Sequence, residues 1–420
     1  MTLGTARAGQ LKRAVGFSVG LYAGRARGLV DVHVHRSDFA RLRSVVDPYP
    51  VYERIRAAGP FVETPTGHLA TAHHAVCDEV LRNRRFGVAP ERSIPVDAAF
   101  DRSFLTRNPP DHTRLRRLVA PAFAPNRLAA FETLVEQTVT ALLDRATTGG
   151  AFDLMPGLAS PLPVAVINEL LGLPEPEGTA LASYGAVLGT AAPGFRSLAH
   201  ARRVMVAAER LNRMLGDVID ARRAEPGDDL ISALVAAEDD GPTAIRADEL
   251  VPLCRMMLIA GFETTVGLIG NAVDALLDHP EQWALLVSDP GRAGAAVQEA
   301  LRFDPPVQRT GRVCFEDTEI AGQPIVAGQW VNALIGGANR DPAVFGEPAV
   351  FDIERTDVGG HLAFSSGIHR CIGRPLAELE ATVALRTLAE RMPGLRRAGR
   401  ARRGNSTLVR SPLSLPVRAG

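Results

Sequence analysis

A single cysteine lies in a short glycine-containing segment, from Phe364 to Gly373, that precedes a run of helix-forming residues. Gly367 and Gly373 stand on either side of Cys371, and since glycine has no Cβ they allow a tight turn and the close approach of a flat molecule. The residues from Leu376 onward favour a helix, so Cys371 is predicted just before a helix N-terminus. Amides and the helix dipole there favour a thiolate, and a thiolate beside a flat cofactor can be an axial haem ligand.

The pattern Phe-x-x-Gly-x-His-x-Cys-x-Gly-x-x-Leu-Ala, which starts at Phe364, resembles the haem-binding loop of the cytochrome P450 family at every fixed position. Ser365 departs at a softer position, where the family often has glycine. A buried structural cysteine is the alternative for a lone cysteine, but it does not account for a match of this length. The resemblance implies haem b (iron protoporphyrin IX) as cofactor, Cys371 as the axial ligand of its iron, and Phe364, His369 and Gly373 as residues that contact it.

A second polar group stands in the middle of a predicted long helix, residues 247–277. Glu263 and Thr264 follow Ala260 and Gly261 in an otherwise apolar stretch, where a buried acid is costly unless it is used. A helix kink is the alternative, since threonine can bond to the preceding turn. The stretch resembles the family's Ala/Gly-Gly-x-Asp/Glu-Thr-Thr motif. That implies that Glu263 and Thr264 are the acid–alcohol pair that supplies protons for oxygen activation, and that Ala260 and Gly261 leave room for oxygen beside the haem.

Cationic and imidazole side chains form a third group. His112 and Arg116, four residues apart on a helix predicted to open after two prolines, share one helix face. Both can donate hydrogen bonds to a carboxylate, although a solvated surface pair is the alternative. Family members place a His-x-x-x-Arg here to bind haem propionates, and the resemblance gives the same role to Arg312 and His369.

Glu299 and Arg302 lie three residues apart on another predicted helix. Taken alone they are an ordinary surface ion pair of little energy. The resemblance implies instead the buried Glu-x-x-Arg pair that fixes the haem-binding core. The family's third partner is an arginine in a Pro-x-Arg-Phe stretch, but Val350 occupies that position here. The third partner is therefore either missing or supplied elsewhere, for example by Arg340.

Composition narrows the class of protein. The chain has 420 residues, no net charge and 46% hydrophobic residues, which is enough for a large core and argues against a nucleic-acid binder. Its four cysteines show neither a disulfide framework nor a CxxC zinc pair, which indicates a reducing, cytoplasmic compartment. The apolar segment 14–24 is too short to span a bilayer. We expect no membrane anchor, with a peripheral membrane contact as the alternative.

The fold that we expect is mainly α with small β regions (α+β), namely the cytochrome P450 fold, with haem between the long distal helix and the proximal cysteine loop. An N-terminal extension, residues 1–45, would precede a single catalytic domain, residues 46–420. Two short strands are predicted between residues 61 and 72, and successive helices between residues 127 and 240. The resemblance places the substrate pocket and its lid among segments of weaker pattern: 87–105, 178–200, 305–308 and a C-terminal hairpin near 405–409.

The favoured function is a soluble bacterial haem-thiolate monooxygenase, expected to be a monomer. It would take two electrons and O₂ and insert one oxygen atom into a small, largely apolar molecule, with hydroxylation in natural-product (secondary) metabolism as the family-level expectation. A separate ferredoxin, or a flavodoxin, would supply the electrons. Arg114, Arg117, Arg370 and Arg374 would form part of a basic docking face for it, with scattered surface charges as the alternative.

Two other functions remain open at this stage. One is a peroxide-driven haem-thiolate enzyme, and the other is a non-catalytic haem-binding or sensor protein. The Glu263–Thr264 pair argues against both, because peroxide already supplies reduced oxygen and a sensor needs no proton delivery.

Overall fold

Most of the chain is described by this computed structural model. The described residues are 37–42, 45–88, 103–146, 150–174, 180, 183–185, 187, 188, 190, 197–239, 241–404 and 406–419. Most of the predicted N-terminal extension lies outside them, as do much of the 87–105 segment, including Ile94, Val96 and Phe100, and much of the 178–200 lid segment.

Helices dominate the described residues, as predicted. The α-helices are α1 (Asp38–Arg41), α2 (Tyr49–Ala57), α3 (His74–Arg82), α4 (Asp111–Val119), α5 (Pro125–Ala146), α6 (Pro161–Leu171), α7 (Leu198–Ala224), α8 (Leu230–Ala236), α9 (Ala247–Asp278), α10 (Pro280–Ser288), α11 (Ala293–Phe303), α12 (Ile335–Ala338) and α13 (Arg374–Arg391). Most begin or end at the prolines and glycines that mark boundaries in the sequence, since proline is favoured in a first helical turn and glycine at a helix end.

Short strands form small sheets around the helical body. They are β1 (Val62–Glu63), β2 (Leu69–Thr71), β3 (Phe86–Gly87), β4 (Ala151–Asp153), β5 (Thr310–Cys314), β6 (Thr318–Ile320), β7 (Gln323–Ile325), β8 (Trp330–Ala333), β9 (Arg396–Arg397), β10 (Arg402–Arg403), β11 (Pro412–Ser414) and β12 (Pro416–Arg418). The five-stranded sheet has the order β1-β2-β8-β5-β3, and a three-stranded sheet has the order β4-β12-β9. The antiparallel β1–β2 pair confirms the two strands predicted near the N-terminus.

Helix α9 is the central element of the core. It runs unbroken over 32 residues, which confirms the predicted long helix. Its first turn is fixed by Glu249, whose carboxylate accepts the Arg246 backbone N–H at 3.1 Å and two hydrogen bonds from Arg114 of α4 at 2.8 and 2.7 Å. By length and composition α9 could cross a membrane, but 67% of its apolar stretch is buried inside the protein, as in a core helix.

The core places two elements on opposite sides of one space. Helix α13 packs against α5, α9 and α11, so the loop that precedes α13 is held opposite the middle of α9. The five-stranded sheet borders the same space through β5 and β8. The sequence segments that carry the candidate chemistry therefore meet in three dimensions.

Candidate active site

A cavity of about 510 Å³ lies between α9 and the cysteine loop. Ala260, Gly261 and Thr264 of α9 line one side, and Cys371 and Gly373 line the other. The rest of the wall is mostly apolar and includes Val88, Phe104, Leu105, Phe123, Pro163, Ile167, Leu170, Met256, Met257, Val307, Trp330, Ile335, Leu362, Ala363, Phe364, Ile372 and Leu376. The two predicted motifs thus face each other across a largely apolar space.

The cysteine loop is held by its own backbone. The Cys371 N–H donates to the Phe364 carbonyl oxygen at 2.9 Å, and α13 begins three residues later, as predicted. Gly367 has φ of 72°, and a Cβ there would lie 2.5 Å from the Leu81 carbonyl oxygen, so only glycine fits. At Gly373 a Cβ would lie 4.0 Å from the Cys371 sulfur. That is an ordinary van der Waals distance, so a Cβ at position 373 would not clash with the sulfur.

The thiol chemistry differs from the sequence expectation in one respect. Burial raises the pKa of Cys371, and the backbone amides of Gly373 and Arg374 and the charge of Arg116 only partly oppose that effect. The predicted amide donors are therefore present, but burial outweighs them. The side chain is accessible from the cavity. A bound metal ion deprotonates a coordinating thiol, so the thiolate form depends on the metal as well as on the loop.

Nitrogen donors cluster at one end of the cavity. The rings of His112 and His369 lie 4.2 Å apart between centroids, and neither nitrogen of His112, nor Nε2 of His369, has a hydrogen-bond partner among the described residues. Burial lowers the pKa of His112 to about 4 and that of His369 to about 3, so both are neutral. Arg116 lines the cavity and donates to the Arg370 carbonyl oxygen at 2.7 Å. Buried nitrogens without partners call for a ligand.

Arg312, on β5, is a buried cation that pairs with no carboxylate of the described residues. Its side chain donates to the Thr310 hydroxyl at 3.0 Å, the Gly311 carbonyl oxygen at 2.9 Å and the Ser365 hydroxyl at 3.3 Å. Burial lowers its pKa to about 10, so it stays charged at neutral pH. A buried charge without a counter-charge is unfavourable, and the cavity that Arg312 lines is where an anion can reach it.

These features fit a planar iron cofactor with two carboxylates. Cys371 lines the cavity on one side, and the nitrogen donors of Arg116, Arg312 and His369 line it as well. His112 does not itself line the cavity but contacts His369. Every residue that the sequence assigned to the haem therefore lines the cavity, except His112.

The predicted acid and alcohol occupy neighbouring faces of α9. Thr264 lines the cavity, and its hydroxyl donates to the Ala260 carbonyl oxygen at 2.9 Å. The oxygen lone pairs remain free to accept a hydrogen bond from a ligand or water. Glu263 lies about 100° around the helix and is not part of the cavity wall. Burial raises the pKa of its carboxyl, and no described residue forms an ion pair with it.

A further acid of the cavity wall was missed by the sequence analysis. Glu380 lies one helical turn after Leu376 on α13, lines the cavity, and is 3% exposed. Its Oε2 has no hydrogen-bond partner among the described residues, and burial raises the pKa of its carboxyl well above the usual range. The signal in the sequence was its spacing of four from Leu376, which places both side chains on one helix face.

Replacing Glu380 by glutamine is expected to make stability less dependent on pH. Because burial raises the pKa of Glu380 in the folded protein, the folded protein binds more protons at this carboxyl than the unfolded chain does. The contribution of Glu380 to the free energy of unfolding therefore falls as pH rises above about 4.5. A pKa that is higher by one in the folded than in the unfolded protein corresponds to about 1.4 kcal/mol of the free energy of unfolding. In urea unfolding, Glu380→Gln should match the wild type near pH 4.5 and exceed it at pH 8. A constant difference between the two proteins across that range would contradict a neutral buried carboxyl.

The structural ion pair has a different third partner from the one considered above. Glu299 and Arg302 are fully buried, with nitrogen–oxygen distances of 2.7 and 2.6 Å. Arg355 approaches Glu299 to 3.4 Å. Arg340 is instead stacked between the rings of Tyr49 and Phe303, at 3.5 and 3.8 Å from their centroids. The suggestion of Arg340 was therefore wrong.

Some of the segments predicted to border the substrate pocket line the cavity, and others do not. Val88 and Phe104, from the 87–105 segment, line the cavity, as does Val307. No described residue of the C-terminal tail lines it, although Val409 forms a β-bridge with Val307. Met256 and Met257, which the sequence analysis did not single out, extend the Ala260–Thr264 face of α9 by one turn. The helical period of that motif could have identified them.

The proposed basic docking face is smaller than expected. Arg114 has a side chain only 10% exposed, and it is engaged with the buried carboxylate of Glu249. It cannot belong to a docking surface. Arg117 and Arg370 are exposed, and Arg374 is partly exposed and paired with Glu378 at 2.8 Å.

Comparisons with known proteins agree with the geometry. The family model "Cytochrome P450" matches residues 293–391. The chain is 37% identical to the "Putative cytochrome P450 140" of Mycobacterium tuberculosis, over 94% of this chain and 96% of that protein. It is 39% identical to the "Cytochrome P450 monooxygenase PikC" of Streptomyces venezuelae, over 87% of this chain and 88% of that protein. A ligand-free crystal structure of Mycobacterium smegmatis CYP164A2 superposes with a TM-score of 0.84 at 39% identity, covering 91% of this chain and 99% of that one.

Proposed function

Because this chain belongs to the cytochrome P450 family of haem-dependent monooxygenases, we propose that it hydroxylates a small, largely apolar molecule in natural-product metabolism. The observation that carries the proposal is the cavity itself, which has a thiol on one side, a threonine hydroxyl on the other and an apolar wall between them. Relatives named as PikC of Streptomyces venezuelae and 6-deoxyerythronolide B hydroxylase of Saccharopolyspora erythraea support the metabolic setting.

Five residues would hold the haem. Cys371 would supply the thiolate that binds the iron. His112, Arg116, Arg312 and His369 would donate hydrogen bonds to the carboxylates, which would relieve the unpaired nitrogens at this end of the cavity. When bound, haem activates O₂ so that one oxygen atom enters the substrate and the other leaves as water, at the expense of two electrons and two protons.

Proton delivery would fall to Glu263 and Thr264. The Thr264 hydroxyl donates to Ala260, so its oxygen is oriented to accept a hydrogen bond from a water molecule in the cavity. Glu263, whose pKa burial raises, can hold a proton closer to neutral pH than an exposed carboxyl can. From the adjacent helix face it would pass protons to that water. Both residues would therefore act on the substrate's oxidation through that water.

Substrate recognition would rest on shape and apolar contact. Among the described residues of the cavity wall the hydroxyls are those of Thr264, Thr310 and Ser365, and the last two already accept hydrogen bonds from Arg312. Burying a polar group without a partner is unfavourable. The wall formed by Met256, Met257 and Ile167 thus favours hydrocarbon surface over polar substituents.

Electrons would come from a separate ferredoxin or flavodoxin. Arg117 and Arg370 remain as exposed basic groups that could attract an acidic partner. We further propose that residues 46–420 form one catalytic domain, and that the enzyme acts as a monomer in the cytoplasm.

Turnover with a surrogate ferredoxin and reductase tests the proposed function. With an apolar substrate identified by a spin-state shift on binding, we expect a hydroxylated product that carries one atom of ¹⁸O when the reaction runs under ¹⁸O₂. Faster product formation from hydrogen peroxide alone would favour a peroxide-driven enzyme. Haem binding without turnover under any donor would favour a non-catalytic protein.

A further inference from the structure

Ser365 has a backbone conformation that is unusual for its residue type. It is one of three non-glycine residues with positive φ in the described chain, at 61°; the others are Ala321 and Glu347. This left-handed region disfavours a side chain, and glycine is the residue that adopts it without strain. Ser365 is the only one of the three that lines the cavity. The serine therefore needs an explanation that a turn alone does not give.

Its hydroxyl supplies that explanation. Ser365 Oγ accepts a hydrogen bond from Arg312 at 3.3 Å, and the Ser365 N–H donates to the Leu362 carbonyl oxygen at 2.8 Å, which fixes the turn. Arg312 is 4% exposed and has no carboxylate partner in the described chain. Glycine at position 365 would remove both the strain and this hydrogen bond.

The hydrogen bonds of Arg312 are divided between two elements. A guanidinium has five N–H donors. The Thr310 hydroxyl and the Gly311 carbonyl oxygen on β5 each accept one, and Ser365 on the cysteine loop accepts a third. Two donors remain for a carboxylate in the cavity. Among the described residues, Ser365 thus supplies the hydrogen bond that fixes the guanidinium from the side of the cysteine loop.

We propose that Ser365 is a positioning residue for Arg312. Its hydroxyl holds the guanidinium so that the two remaining donors face a haem carboxylate, and the strained backbone persists because the hydrogen bond requires a side chain at this position. The inference rests on the assignment of Arg312 to the haem in the proposed function.

Two variants separate the hydroxyl from the strain. Ser365→Ala removes the hydroxyl and keeps the Cβ, whereas Ser365→Gly removes both. In the holoprotein both should lose haem to excess apomyoglobin about two- to tenfold faster than the wild type, the range expected for one hydrogen bond. Both should also have a lower haem reduction potential, because a well-placed cation favours the reduced state. The melting temperature should be higher for Ser365→Gly than for Ser365→Ala, because glycine relieves the strain.

Two control variants test whether an effect on haem loss is specific to the Ser365 hydroxyl. Ser366→Ala removes the neighbouring hydroxyl from an extended residue, with φ of −138°, and should leave the rate of haem loss unchanged. If Ser365 only supports the loop, haem loss will follow the melting temperature and will be slower in Ser365→Gly than in Ser365→Ala, which would overturn the proposal. An unchanged rate and potential in both variants would overturn it as well. Arg312→Gln separates the haem-binding role of Arg312 from the positioning role of Ser365. If this variant loses haem at the wild-type rate, the role of Arg312 itself is refuted.

Discussion

Replacing Cys371 by serine is expected to abolish the strongly red-shifted Soret band that the dithionite-reduced protein should show under carbon monoxide. The band depends on a thiolate ligand to the haem iron, and the Cys371 sulfur is the one thiol that lines the cavity in the described chain. A serine hydroxyl is far harder to deprotonate and is a poorer ligand for iron. Turnover with the surrogate electron donor should fall below detection.

The matched control for this experiment is Cys314→Ser. Cys314 lies on β5 and is buried, and its sulfur donates to the Glu316 carbonyl oxygen at 2.9 Å, a bond that a serine hydroxyl can replace. This variant should keep the red-shifted band and the turnover. A red-shifted band in Cys371→Ser would refute Cys371 as the ligand. If the wild type binds no haem at all, the family assignment loses its chemical basis.

The features that local sequence determines were predictable. The helix α9, the loop from Phe364 to Gly373 and the helix that follows Cys371 all lie where helix propensity, glycine positions and the family pattern put them. In each case the residues that carry the signal are adjacent, or a few residues apart. The nitrogen donors His112, Arg116, Arg312 and His369 also converge as the resemblance implies.

Features that depend on which distant residues meet could not be predicted in this way. Arg355 approaches Glu299 only because the 348–355 segment folds back onto α11, where the Val350 carbonyl oxygen accepts a hydrogen bond from Arg302. Arg114 looked like a surface charge because its partner Glu249 lies 135 residues away. The pKa of Cys371 is governed by burial, a property of the whole fold that the adjacent amides do not reveal.

Ser365 on the cysteine loop and Glu380 on α13 show the same limit. The departure of Ser365 from the usual glycine was visible in the sequence, but its meaning was not, because Arg312 lies 53 residues away. Glu380 was visible only as one acid among several on α13. Its isolation in the cavity wall follows only from the packing of α13 against α9 and α5.

Thr264→Ala should still bind haem and substrate. Most of the electrons that it consumes, however, should reduce O₂ to hydrogen peroxide instead of forming product. The variant removes the hydroxyl whose lone pairs face the cavity, so the water that carries protons from Glu263 loses its anchor. Proton transfer by a positioned group accelerates reactions by about 10²–10⁴-fold. Product per NAD(P)H consumed should therefore fall about tenfold or more, while the spin-state shift on substrate binding persists.

Thr265→Ala is the control that isolates position from residue type. Thr265 is the adjacent residue, its hydroxyl donates to the Gly261 carbonyl oxygen at 3.2 Å, and it is buried outside the cavity wall. Loss of either hydroxyl removes a similar bond to the helix backbone, so an effect on helix geometry should appear in both variants. Proton delivery should fail only in Thr264→Ala. Equal product yield per NAD(P)H in the wild type and Thr264→Ala would refute the role of Thr264, and equal uncoupling in the two variants would assign the effect to the helix.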